Sequence, residues 1–125
     1  MKQEESLHIA ICDYLKMQYP DVIFTSEASG IKLTIGQAVK LKRMRSGSKL
    51  PDIWILEPKG NFHGLFLEVK AESPFRRDGS IKAGHFAEQE DYLSKLRQKG
   101  YSAMFVWSFD HAKAAIDNYM SITKF

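Results

Sequence analysis

Apolar residues recur at helical spacing near the start of the chain. Leu7, Ile11, Tyr14 and Leu15 share one stripe and Pro20 lies just beyond it, which predicts a helix over 4–18. The β-branched and aromatic run VIFTSE predicts a strand over 22–27. Residues 35–45 read as a second helix, closed by Gly47. IWIL (53–56) and GLFLEVK (64–70) read as strands. The intervening PKGN carries a proline and a glycine, so the two strands should form a hairpin. Residues 71–83 hold Pro74, Gly79 and several charges and read as a loop. A helix over 84–99 ends at Gly100, SAMFVWS (102–108) is a strand, and 110–121 make a last helix. This order predicts an α/β (α+β) fold, a mixed sheet flanked by helices.

A chain of 125 residues with 44% hydrophobic and 26% charged residues suits one domain, 1–125, around one core. It holds no apolar run long enough for a bilayer, and MKQEESLHIA lacks the pattern of a signal peptide. A lone cysteine, Cys12, has no internal disulfide partner, so a reducing, cytoplasmic location and a packing role are expected. The net charge of +3 is compatible with nucleic acid without requiring it. Its distribution says more. VKLKRMRSGSK concentrates Lys40, Lys42, Arg43, Arg45 and Lys49, which is either a solvated helix face or a phosphate-contacting surface.

The chemistry concentrates on strand 64–70. Side chains alternate faces, so Leu65, Leu67 and Val69 share the natural core face while Phe66, Glu68 and Lys70 share the other. Glu68 and Lys70 then stand roughly 7 Å apart along that face. An ordinary solvent-facing strand carries such pairs too. Pro51-Asp52 opens the neighbouring strand, where proline's missing donor costs nothing, and the hairpin brings Asp52 towards Glu68. Two such carboxylates suit a hard divalent cation, although an aspartate there also suits a turn. In the first helix Glu4 extends the apolar stripe and Glu5 lies off it. Gln89 falls inside the stripe of Phe86, Leu93 and Leu96, where a polar group needs a partner. The alternatives are a favourable charge at a helix start for Glu4 and a half-exposed helix edge for Gln89.

The ordered set Glu4, Pro51-Asp52, Glu68-Val69-Lys70 and Gln89, with the basic helix before Pro-Asp, resembles the PD-(D/E)XK nuclease superfamily. Its closest branch is the VRR-NUC domain in the compact stand-alone form of phages and bacteria. The resemblance spans roughly Glu4 to Trp107 and implies a restriction-endonuclease-like αβββαβ core. One departure is Lys49, at a position where the family usually has glycine.

The resemblance implies a structure-selective DNA endonuclease that hydrolyses phosphodiesters with Mg²⁺ or Mn²⁺. Asp52, Glu68 and the Val69 backbone carbonyl would hold the metal, with Glu4 completing the shell through water. Lys70 would position or deprotonate the attacking water, and Gln89 would orient groups or touch phosphate. Lys40, Lys42, Arg43, Arg45, Lys49, Arg76 and Arg77 are candidates for sequence-blind contacts to the DNA backbone. Stand-alone relatives resemble Holliday-junction resolvases, which implies a C2 homodimer. A nickase or end-trimming exonuclease, a DNA-binding module without catalysis, and a plain interaction protein are the competing readings. Phe105, Trp107, Phe109 and Tyr119 are expected to pack in the core rather than line an interface. No pair among His8, His63, His85 and His111 has zinc-ligand spacing, so packing roles are expected, with His8 near the site. No P-loop or GxGxxG points to a nucleotide cofactor.

Overall fold

The computed structural model describes residues 2–27, 31–46 and 50–123. The elements are α1 (Gln3–Gln18), β1 (Phe24–Ser26), α2 (Ile35–Arg43), β2 (Ile53–Ile55), β3 (Leu65–Val69), α3 (His85–Gln98), β4 (Ser102–Val106) and α4 (Phe109–Met120). The strands form one sheet in the order β1-β2-β3-β4. The first two pairs are antiparallel and β3 runs parallel to β4. The parallel pair needs a crossover, and α3 supplies it. The result is an α+β fold of the restriction-endonuclease type, with α2 and α4 added to an αβββαβ core. Among the described residues no helix is long and apolar enough to cross a membrane.

The alternation of β3 divides the interior into two layers. Leu65, Leu67 and Val69 face α1 and α4, where they meet Ile11, Leu15, Ala112 and Ile116. Phe66 faces the other way, into a second cluster with Leu93 of α3, Ala103 and Phe105. Each fully buried Leu or Ile of the first layer contributes about 2 kcal/mol of transfer free energy. Tyr14 and Tyr19 donate hydrogen bonds of 2.6 and 2.7 Å to one carboxylate oxygen of Asp117, which ties α1 to α4. The expectation that Phe105 and Tyr119 pack in the core holds; Trp107 is half-buried and Phe109 lies at the surface.

Strand Phe24–Ser26 is shorter than the 22–27 expected, although its pairing continues at both ends through the Leu56 N–H to the Ile23 carbonyl and the Glu27 N–H to the Asp52 carbonyl. Helix α2 ends at Arg43 rather than 45, and the closing Gly47 lies outside the described residues. The helix adds no residue to either core. Its stability is local: the Thr34 hydroxyl accepts the Gln37 N–H, and the Gln37 side chain accepts the Thr34 N–H. Helix α3 stops at Gly100, where φ is +94° and a Cβ would come within 2.7 Å of the His63 ring.

The largest departure concerns 71–83, expected as a plain loop. It forms a small hairpin closed by the Phe75–Ile81 bridge, with Arg76 N–H donating to the Ser80 carbonyl and Lys82 N–H to that of Pro74. Pro74 is fully buried, and the Phe75 ring stands edge-on to Phe105 and Trp107. Asp78 accepts from both the backbone and the hydroxyl of Ser80, fixing the tip. Aromatic anchoring, invisible to a reading of local turn composition, makes this segment an ordered arm.

Candidate active site

One end of the sheet collects the polar residues. The end of β1, the start of β2, and the ends of β3 and β4 all meet there, because β1 and β2 are antiparallel and β3 and β4 parallel. Pro51 is buried at that edge, and Asp52 follows it half-buried. One Asp52 carboxylate oxygen accepts the Val69 N–H at 2.8 Å. This bond crosses from the β2 start to the β3 end and fixes Asp52 beside the Glu68-Val69-Lys70 run.

Glu68 and Lys70 are both buried, since α3 covers the β3 face that carries them. The Lys70 ammonium lies 4.0 Å from a Glu68 carboxylate oxygen and 5.3 Å from the centroid of the Phe86 ring. Gln89, one turn into α3 from Phe86, donates from Nε2 to Glu68 Oε1 at 3.2 Å. Burial pushes the Glu68 carboxyl well above the ordinary carboxylate range. The charge and hydrogen bonding of Asp52 push it further, Lys70 pulls partly back, and the Glu4 charge adds to the rise. Glu4 therefore reaches the centre electrostatically from α1, although its side chain is exposed.

Two features of this arrangement are costly in isolation. Two carboxylates share a half-dry corner with one ammonium, and Gln89 Oε1 is buried without a hydrogen-bond partner among the described residues. Among the described residues no three side chains of His, Cys, Asp and Glu lie close enough to hold an ion between them. The available set is two carboxylates with the Val69 main chain between them. That suits Mg²⁺ or Mn²⁺, hard ions that take one or two carboxylates and keep water and phosphate ligands. The residues present thus fit such an ion.

No protein-family model matches the sequence, and no curated protein does. A solved structure described as a "VRR_NUC domain protein" superposes on 100% of this chain and 93% of its own, with a TM-score of 0.70 at 21% identity. The chain has the VRR-NUC fold. At that identity the likeness is one of architecture. It assigns the αβββαβ core and leaves the chemistry to the residues themselves.

On this VRR-NUC fold the residues singled out in the sequence fall into three groups. Asp52, Glu68, Val69, Lys70 and Gln89 meet directly, and Glu4 faces them across a cleft of about 740 Å³ that Asp52 and Val69 also line. Lys40, Lys42 and Arg43 are exposed on α2, and Arg76 and Arg77 are exposed on the arm. α2 joins β1 to β2 and the arm follows β3, so both leave the sheet at the end that carries the carboxylates. Arg45 differs: its side chain is largely buried in an ion pair with Glu27. It tethers the segment after α2 to the cleft wall. Lys49 lies outside the described residues.

Sequence reasoning passed over Glu27 and Ser26 and gave His85 only a packing role. Glu27 is buried at the end of β1, and its N–H donates to the Asp52 carbonyl at 2.8 Å. Ser26 Oγ lies 2.8 Å from His8 Nε2 and 3.6 Å from Cys12 Sγ, in the same cleft. His85 contacts Gln89. Cys12 is half-buried at this cleft, where burial raises its thiol pKa. Only the i, i+4 spacing of Glu4 with His8, and of His85 with Gln89, signalled any of this in the sequence.

Proposed function

We propose that this chain is a Mg²⁺- or Mn²⁺-dependent deoxyribonuclease that hydrolyses phosphodiester bonds in branched DNA and resolves four-way junctions as a homodimer. The observation that carries the reading is the convergence of Asp52 and Glu68, from two strands, on the Val69 backbone, with the Lys70 ammonium 4.0 Å from Glu68. The VRR-NUC fold supports it.

Asp52, Glu68 and the Val69 carbonyl hold the ion in this reading, with Glu4 acting through water. When bound, the ion lowers the pKa of water and polarises the phosphate. Lys70, buried and therefore weakly screened, orients the attacking water and offsets charge growing on the phosphate. The Val69 N–H keeps the Asp52 carboxylate aimed, and the Gln89 amide does the same for Glu68. The exposed bases of α2 and of the 73–82 arm contact the backbone on either side of the carboxylates. Such contacts carry no sequence information, which suits selection by DNA shape. Symmetric cutting of a junction needs two sites, hence the dimer. The working location is the cytoplasm of a bacterial or phage-infected cell.

The test uses labelled four-way, nicked and linear DNA with Mg²⁺, Mn²⁺ or chelator, alongside Lys70→Ala. Paired, metal-dependent cuts in the junction, lost in the variant, are expected. Cutting confined to ends or nicks would replace the resolvase with an exonuclease or nickase. Salt-sensitive binding without cutting under any metal would leave a DNA-binding module.

A further inference from the structure

His85 opens α3 and Gln89 lies one turn later on the same face, with Gln89 Nε2 and His85 Nε2 3.2 Å apart. The same amide nitrogen lies 3.2 Å from Glu68 Oε1. An amide nitrogen carries two hydrogens. One goes to the carboxylate and the other is aimed at the imidazole. An imidazole nitrogen that accepts carries no proton, so the neutral His85 ring holds its proton on Nδ1. In the observed orientation the amide nitrogen faces both Glu68 Oε1 and His85 Nε2, so one N–H donates to each. Gln89 thus bridges Glu68 on one side and His85 on the other.

From this chain of contacts we infer that His85 is a positioning residue of the site, acting through Gln89 to hold the Glu68 carboxylate in its working orientation. The ring is exposed at the start of the helix, whereas Glu68 is buried on the strand beneath it. The amide between them has its own oxygen buried and unpartnered among the described residues, so its two N–H bonds are what restrain it. Without His85 one of these bonds is lost and the amide is free to rotate. The consequence for cutting rests on the nuclease reading; the hydrogen-bond chain does not.

Two measurements separate these. Long-range ¹H–¹⁵N spectra of the labelled protein, at a pH where the rings are neutral, report which nitrogen of His85 carries hydrogen. The Nδ1–H form is expected in the wild type, and Gln89→Ala should return the ring to the Nε2–H form that free histidine prefers. A wild-type ring already in the Nε2–H form overturns the proposal, whether or not the protein cuts DNA. In cleavage assays His85→Ala should lower kcat by about tenfold at unchanged KM, the lower end for residues that orient site groups. His85→Gln, whose side-chain oxygen accepts in the same place, should restore most of the rate, and the shorter His85→Asn should not. His85→Ala combined with Gln89→Ala should be no slower than Gln89→Ala alone. Additive losses, or a rise in KM with kcat unchanged, would overturn a role exerted through Gln89. If the wild type cuts nothing under any metal, the nuclease reading fails while the spectra still decide the hydrogen-bond chain.

Discussion

The two faces of β3 are built from alternate residues of one five-residue strand, yet they are held by different physics. On the α1/α4 side Leu65, Leu67 and Val69 pack into the apolar core and are essentially inaccessible. On the α3 side Phe66 packs into a smaller apolar cluster, and Glu68 and Lys70 are buried beside it with Gln89 and the Phe86 ring. The first face returns its full burial to stability. The second sets part of its burial against the cost of desolvating charge. Placing both on one strand lets the dry face hold the backbone rigid while the other holds ionisable groups in conditions they would not choose. The same division runs through the helices: Ile11, Leu15 and Ile116 serve the dry layer, and Glu4, His85 and Gln89 serve the polar one.

If the two faces are held by different physics, activity and stability should separate by face. Asp52→Asn and Lys70→Ala should each lower cutting by about 10³-fold or more, the range for losing an electrostatic partner of the reacting phosphate, with the far-ultraviolet circular dichroism spectrum unchanged. Retention of wild-type rate by either variant would remove that residue from the proposed chemistry. On the opposite face Leu67→Ala should cost about 2–5 kcal/mol of stability in urea titrations. At temperatures where the variant is fully folded its rate should stay near wild type.

Glu68→Gln should act on both ledgers with opposite signs. The folded Glu68 carboxyl titrates above its unfolded value, so the native state keeps a proton that the unfolded chain releases. Stability then falls as pH climbs from the ordinary carboxylate range towards the raised folded value, and is unaffected below it. Metal-free Glu68→Gln lacks this slope and should gain on wild type in thermal melts between about pH 5 and 8, while losing activity. Millimolar Mg²⁺ should stabilise the wild type more than the variant, and chelator should erase the difference. Parallel pH curves for the two proteins would contradict the buried-carboxylate account. The smallest effect belongs to the surface: Arg76→Ala with Arg77→Ala should reduce the salt slope of DNA binding by about 2 and leave melting temperature within error.

The amino-acid pattern alone determined the element order, the Leu65-Leu67-Val69 core face, the Asp52-Glu68 convergence through a hairpin, and the inward Gln89. Those follow from local periodicity and from the short reach of a β-hairpin, both of which are written in adjacent residues. It did not determine that the Glu68 face would also be buried, because that depends on where the crossover helix α3 lands. Nor did it show the ordered arm over 73–82, whose anchor rings Phe105 and Trp107 come from a strand about thirty residues away. The diversion of Arg45 to Glu27 and the link from His85 through Gln89 to Glu68 likewise needed the packed molecule. A charge or an imidazole is ambiguous in sequence because its role is set by its partner. Partners far apart along the chain are chosen only when the sheet and its helices close around them.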